Sequence, residues 1–117
     1  MTHEEKKVAK IIEELTMYFF TAGADEITSH IEKKEHGAKI TFCSNYQPDC
    51  EHKLHSLEEY LNEPKNEGIE DIYWELAGSG DPGETSQLLL VGMMIDKAEV
   101  RRTEGKVELT LYKDFAE

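Results

Sequence analysis

Cys43, Cys50, His52 and His55 are residue types that can bind a soft metal or, for cysteine, attack an electrophile, and they fall within one short stretch. Zinc takes thiolate and imidazole ligands, and His52 and His55 at i, i+3 share one face of a helix. The spacing argues against a four-ligand site. If Leu54, Leu57 and Leu61 point to the core, both histidines project to the polar side while Cys50 sits near the apolar one. The expectation is no bound metal and two reduced thiols. Cys43 has no cationic or histidine-rich setting that would favour its thiolate, so nucleophilic chemistry is not indicated there. The paired acids Glu4-Glu5, Glu13-Glu14 and Glu58-Glu59 belong to exposed helix faces, where carboxylates are solvated charge rather than acid–base machinery. A last candidate is Gly78-Ser79-Gly80 ahead of Asp81-Pro82-Gly83-Glu84. A helix N-terminus offers free N–H groups to phosphate, but Asp81 and Glu84 crowd this one with negative charge and no lysine or arginine lies close in sequence. An internal cap is the better account.

These residues must be positioned by elements that periodicity can locate. Thr2-His3-Glu4-Glu5 fits a capping box, and Val8, Ile11, Ile12, Leu15, Tyr18, Phe19 and Ala22 then recur at helical spacing. Met17 and Phe20 lie off that stripe, which makes the far end of the helix either surrounded by core or a partner or homodimer surface. After Gly23, the spacing of Ala24, Ile27 and Ile31 predicts a second short helix ending in Lys33, Lys34 and His36, with Gly37 as its C-prime residue; a bent continuous helix is the alternative. Ala38 to Ser44 alternates as a strand, with Ile40 and Phe42 on one face and Lys39, Thr41 and Cys43 on the other. Asn45 to Asp49 is turn chemistry, and residues 51–62 read as a third helix with Leu54, Leu57 and Leu61 on one side. A polar loop spans Pro64 to Gly68. Ile69 to Ala77 fits either period, and its β-branched and aromatic content favours a strand.

The clearest unit is the last. A helix beginning at Asp81 carries Leu88, Val91, Gly92 and Ile95 on one face. The period then changes to two: Ala98 and Val100, a turn at Thr103-Glu104-Gly105, and Val107, Leu109 and Leu111 make an antiparallel hairpin.

The 117 residues make one domain, 1–117, long enough to bury a core without staples. With 25 acidic against 13 basic residues the net charge is −12, a field that repels nucleic acid and anionic lipid. No apolar run approaches the ~20 residues of a membrane span, and no apolar leader opens the sequence. Two cysteines are too few for a disulfide framework. A cytoplasmic protein is expected.

The order of glycine-rich loop, Leu88-Leu89-Leu90-Val91 helix, the run from Asp96 to Arg102, the Gly105 turn and the run from Lys106 to Phe115 resembles the C-terminal third of the histidine-kinase-like ATPase superfamily, and most resembles its small anti-sigma-factor kinase branch. The resemblance covers residues 78–115 well and the rest loosely. It implies an α/β fold: a two-layer sandwich, a mixed sheet with helices on one face and a C-terminal antiparallel hairpin. In that superfamily a helix ahead of the first sheet strand carries a carboxylate that polarises the attacking water and, four residues later, an asparagine that holds magnesium. The resemblance places Asp25 or Glu26 in the first role and Ser29 at the asparagine position. It places Gly78, Gly80 and Gly83 in the nucleotide-binding glycine loop, and Leu76 where an aspartate should accept a hydrogen bond from adenine. Matching the glycines to the later phosphate loop instead leaves the aspartate loop absent, since Ile69 to Leu76 contain no aspartate followed by glycine. Either alignment leaves the nucleotide pocket incomplete. The expected function is therefore a non-catalytic regulatory or protein-interaction module without a cofactor. The competing readings are a divergent ATP-dependent serine/threonine protein kinase of that branch, using Asp25 or Glu26 with Ser29, and an unrelated α+β domain.

Overall fold

Helix α1 (His3–Thr21) begins at a reciprocal cap: the Glu5 amide donates to Thr2 Oγ1 (3.1 Å) while the Thr2 amide donates to Glu5 Oε1 (2.8 Å). Two of the orphan donors at the helix start are thereby satisfied. The computed structural model describes residues 2–54, 57–62 and 83–115. Along α1, Val8, Ile11, Leu15, Tyr18 and Phe19 are buried, as their spacing predicts.

Residues 24–36 are not a second helix. They form strand β1 (Ile27–Lys34), which turns through Glu35-His36 into strand β2 (Gly37–Asn45). Positions four apart share a side in a strand as well as in a helix, so Ile27 and Ile31 fit both periods. The β-branched Ile27, Thr28 and Ile31 suit the strand. Gly37 is correspondingly not a helix terminator. It opens β2 where a Cβ would lie 2.5 Å from the Lys113 carbonyl oxygen, so only glycine permits this approach to the next strand.

Beyond β2, the expected helix over 51–62 is divided into a 3-10 helix (Pro48–Leu54) and helix α2 (Leu57–Asn62), with Leu54, Leu57 and Leu61 all buried. The loop 64–68, the ambiguous segment 69–77 and the residues 78–82 lie outside the described residues. Helix α3 (Gly83–Met94) buries Leu88, Val91 and Gly92, with Ile95 buried just beyond its end. It leads into strand β3 (Lys97–Thr103), a Glu104-Gly105 turn in which Gly105 takes φ +73°, and strand β4 (Lys106–Asp114). The hairpin stands as its alternation predicts.

The sheet order is β1-β2-β4-β3. Its three pairings are all antiparallel, so the parallel component of a mixed sheet is not found among the described strands. One face carries Ala38, Ile40 and Phe42 from β2, Ala98 from β3, and Val107, Leu109 and Leu111 from β4, all buried in one core with the helices. The opposite face is half-exposed. In the helical layer α1 meets α3, α3 meets α2, and α2 reaches β3. The result is an α/β fold with helices on one face and a C-terminal hairpin.

Two polar contacts lock the layers. Buried Lys113 donates from Nζ to the Met94 carbonyl at the end of α3 (2.8 Å) and lies 3.4 Å from Glu4 in the first turn of α1. Its charge thus complements a helix C-terminus and meets a carboxylate, which is what makes a buried cation tolerable. Lys33 of β1 reaches Glu5 of α1 at 3.0 Å.

Candidate functional site

The carboxylates and the serine that the resemblance assigns to catalysis do not converge. Asp25 and Glu26 lie in the loop between α1 and β1, not on a helix. That loop is clamped by Asn45: its Oδ1 accepts from the Asp25 and Glu26 amides (3.0 and 3.1 Å), its Nδ2 donates to Asp25 Oδ1, and its amide donates to the Glu26 carbonyl (3.2 Å). The Asp25 carboxylate is therefore engaged in holding the loop. Ser29 sits exposed in β1 opposite Phe42, on the helix-facing side of the sheet. In an extended strand, residues four apart are separated by about 13 Å, not by one helical turn. Gly83 is the first residue of α3, and Gly78 and Gly80 lie outside the described residues.

Cys43 and Cys50 are free thiols on different elements. Cys43 lies on the outer face of β2 with its Sγ 4.0 Å from Glu108 Oε2, and burial together with that carboxylate pushes the thiol pKa up. A raised pKa is the opposite of what a nucleophile needs. Cys50 packs against the core from the 3-10 helix, which also carries exposed His52; His55 lies outside the described residues. Among the described residues no three histidine, cysteine or acidic side chains gather closely enough to hold a metal ion.

Register brings together a row that the sequence alone does not show. Thr28, Cys43, Glu108 and Arg101 stand side by side across all four strands on the outer face. They line a shallow cleft of about 200 Å³, flanked by Asn45 and Lys106. It offers hydrogen bonds and charges of both signs, but its thiol is not activated. The four residues of the row come from four different strands, so only long-range pairing could have revealed it.

The other feature is apolar. Phe20 is 61% exposed, Met17 46% and Ile31 46%, the large hydrophobic side chains left most open to water among the described residues. α1 packs over the sheet at β2, where Phe19 stacks on Phe42 with ring centroids 5.5 Å apart, and it meets β1 at its N-terminal end. Glu5 meets Lys33 at one end, and Val8 shares a small hollow with Ile31 and Ala38. From Glu5 to Phe20 the helix advances about 22 Å. From Lys33 back to Ile27 the strand covers about 20 Å. Ile12, seven residues beyond Glu5, and then Thr16 and Phe20 at steps of four continue the flank of α1 that Glu5 begins.

The two sheet edges differ in kind. At β3, Asn62 Oδ1 accepts from the Ala98 amide (3.0 Å), Asn62 Nδ2 donates to the Ala98 carbonyl (3.1 Å), and Glu58 Oε2 accepts from the Val100 amide (3.0 Å). Side chains of α2 thus stand in for a further strand. At β1 every residue from Thr28 to Lys34 is exposed. Because the Asn45 amide donates to the Glu26 carbonyl, the even positions of β1 bond toward β2, and Ile27, Ser29, Ile31 and Lys33 direct their backbone groups outward.

Comparison with family models, with curated proteins and with solved structures gives no match.

Proposed function

We propose that this chain is a non-catalytic regulatory module that works through protein contacts, on a scaffold resembling the histidine-kinase-like ATPases. The observation that carries the reading is the exposed apolar surface of Phe20 and Met17 on α1 and Ile31 on β1, together with a β1 edge that no described residue pairs. Apolar surface held in water next to a row of free backbone donors and acceptors suits a protein partner. The net charge of −12 favours such a partner over nucleic acid or anionic lipid. A cytoplasmic location fits the two free thiols. No helix among the described residues is long and apolar enough to cross a membrane.

Titration calorimetry with magnesium-ATP tests the non-catalytic part. Ser29 stands where the resemblance requires the magnesium asparagine, in an edge strand and away from the loop that holds Asp25, and Leu76 stands where it requires the adenine aspartate. At about 1.5–3 kcal/mol for each absent charged contact, losing two moves a micromolar site to about millimolar. The expected result is no binding tighter than about 1 mM. A dissociation constant below about 0.1 mM, about −5.5 kcal/mol, would overturn the reading in favour of the kinase.

A further inference from the structure

We propose that the β1 edge pairs with the β1 edge of a second copy of this chain, antiparallel about a two-fold axis at His30, joining two four-stranded sheets into one of eight. The proposal rests on the protein-contact reading and names the partner. β-Strand addition needs unpaired backbone groups in register, and the outward set at Ile27, Ser29, Ile31 and Lys33 supplies them. A two-fold axis normal to the sheet keeps both helical layers on one side, so odd residues must meet odd residues. An axis at His30 sets Ile27 against Lys33 and Ser29 against Ile31 as hydrogen-bonded pairs.

Charge complementarity selects this centre. It places Glu26 of each copy opposite Lys34 of the other on the outer face, and both side chains are exposed and outside any ion pair among the described residues. Two oppositely charged pairs thus bracket the contact, and each Thr28 hydroxyl faces a Glu32 carboxylate. On the helical side, the Lys33 stem, held by Glu5, covers Ile27 of the other copy. The α1 flanks then approach across the axis, and Phe20, Thr16 and Ile31 leave water. The β3 edge offers less, since Asn62 and Glu58 occupy the Ala98 N–H and C=O and the Val100 N–H.

His30 facing itself is a non-hydrogen-bonded pair with Cα atoms about 4.5 Å apart, within disulfide reach. The test oxidises the full chain carrying His30→Cys in a Cys43→Ser, Cys50→Ser background, with Thr28→Cys in the same background as control, and follows both by sedimentation velocity. The expected result is a covalent dimer for His30→Cys and none for Thr28→Cys, with Ile31→Lys weakening association of the native chain at least about tenfold. A chain that remains monomeric at about 200 μM, or a dimer that His30→Cys fails to cross-link, overturns the pairing. In the second case the protein-contact reading stands with another surface, whereas tight magnesium-ATP binding would remove only the non-catalytic part of that reading and leave the edge pairing untouched.

Discussion

Glu5 joins the cap of α1 to β1. The Thr2 amide, then Lys33, lower its carboxyl pKa to about 2. A folded pKa below the ordinary value of 4.5 means that the stabilisation is fully present above about pH 4.5 and is lost as the pH falls toward 2. Glu5→Gln should therefore flatten the fall in stability between those values, measured by urea unfolding at a series of pH values. An unchanged acid limb would contradict the assignment. Glu4 is also lowered: burial works to raise it, but Lys113 and Lys7 beside it outweigh burial. Lys113→Met keeps the buried stem and removes the charge, leaving the Met94 carbonyl and Glu4 without this partner. A loss of about 1–3 kcal/mol is expected in denaturant unfolding. These ties join residues more than 90 positions apart for Lys113 and Glu4, which no local pattern in the sequence could announce.

Among the elements, α1, α3 and the β3–β4 hairpin were legible because each buries one face against a single core, and burial writes its period into the sequence. β1 was not, for a physical reason. As an exposed edge strand it has no alternation of buried and open positions, and Ile27 and Ile31 were left to suggest a helix. The same lack of cover hid the candidate site, since that edge is defined by the absence of a pairing partner among the described residues. The protected edge was hidden too, because Asn62 and Glu58 are ordinary polar helix residues until α2 docks on β3. Asn62→Ala should destabilise the fold by about 1–2 kcal/mol by removing both bonds to Ala98, whereas Ser29→Ala on exposed β1 should change stability by less than about 0.5 kcal/mol. Equal effects in thermal or urea unfolding would mean that the two edges are not distinguished in this way. The resemblance supplied the expectation of helices on one face, but Asp25, Glu26 and Ser29, which it nominated for catalysis and magnesium, fall on a loop and an edge strand.

For the molecule as a whole, the asymmetry between the edges gives association a direction: α2 side chains occupy β3 at Ala98 and Val100, while no described residue pairs with the outer edge of exposed β1. A net charge of −12 opposes bringing two copies together, so the contact should tighten with added salt until the Glu26–Lys34 pairs are themselves screened. Sedimentation at increasing ionic strength checks this, with a rise and then a plateau or fall in dimer fraction expected. The most direct measurement is residue-resolved amide exchange from about 1 μM to about 200 μM chain. At both concentrations Thr28, His30 and Glu32, already bonded to β2, should be slow. Ile27, Ser29, Ile31 and Lys33 should exchange fast in dilute solution and become protected at the higher concentration. Odd-numbered β1 amides that exchange equally fast across the whole range would contradict the claim that this edge is where the protein makes its contacts.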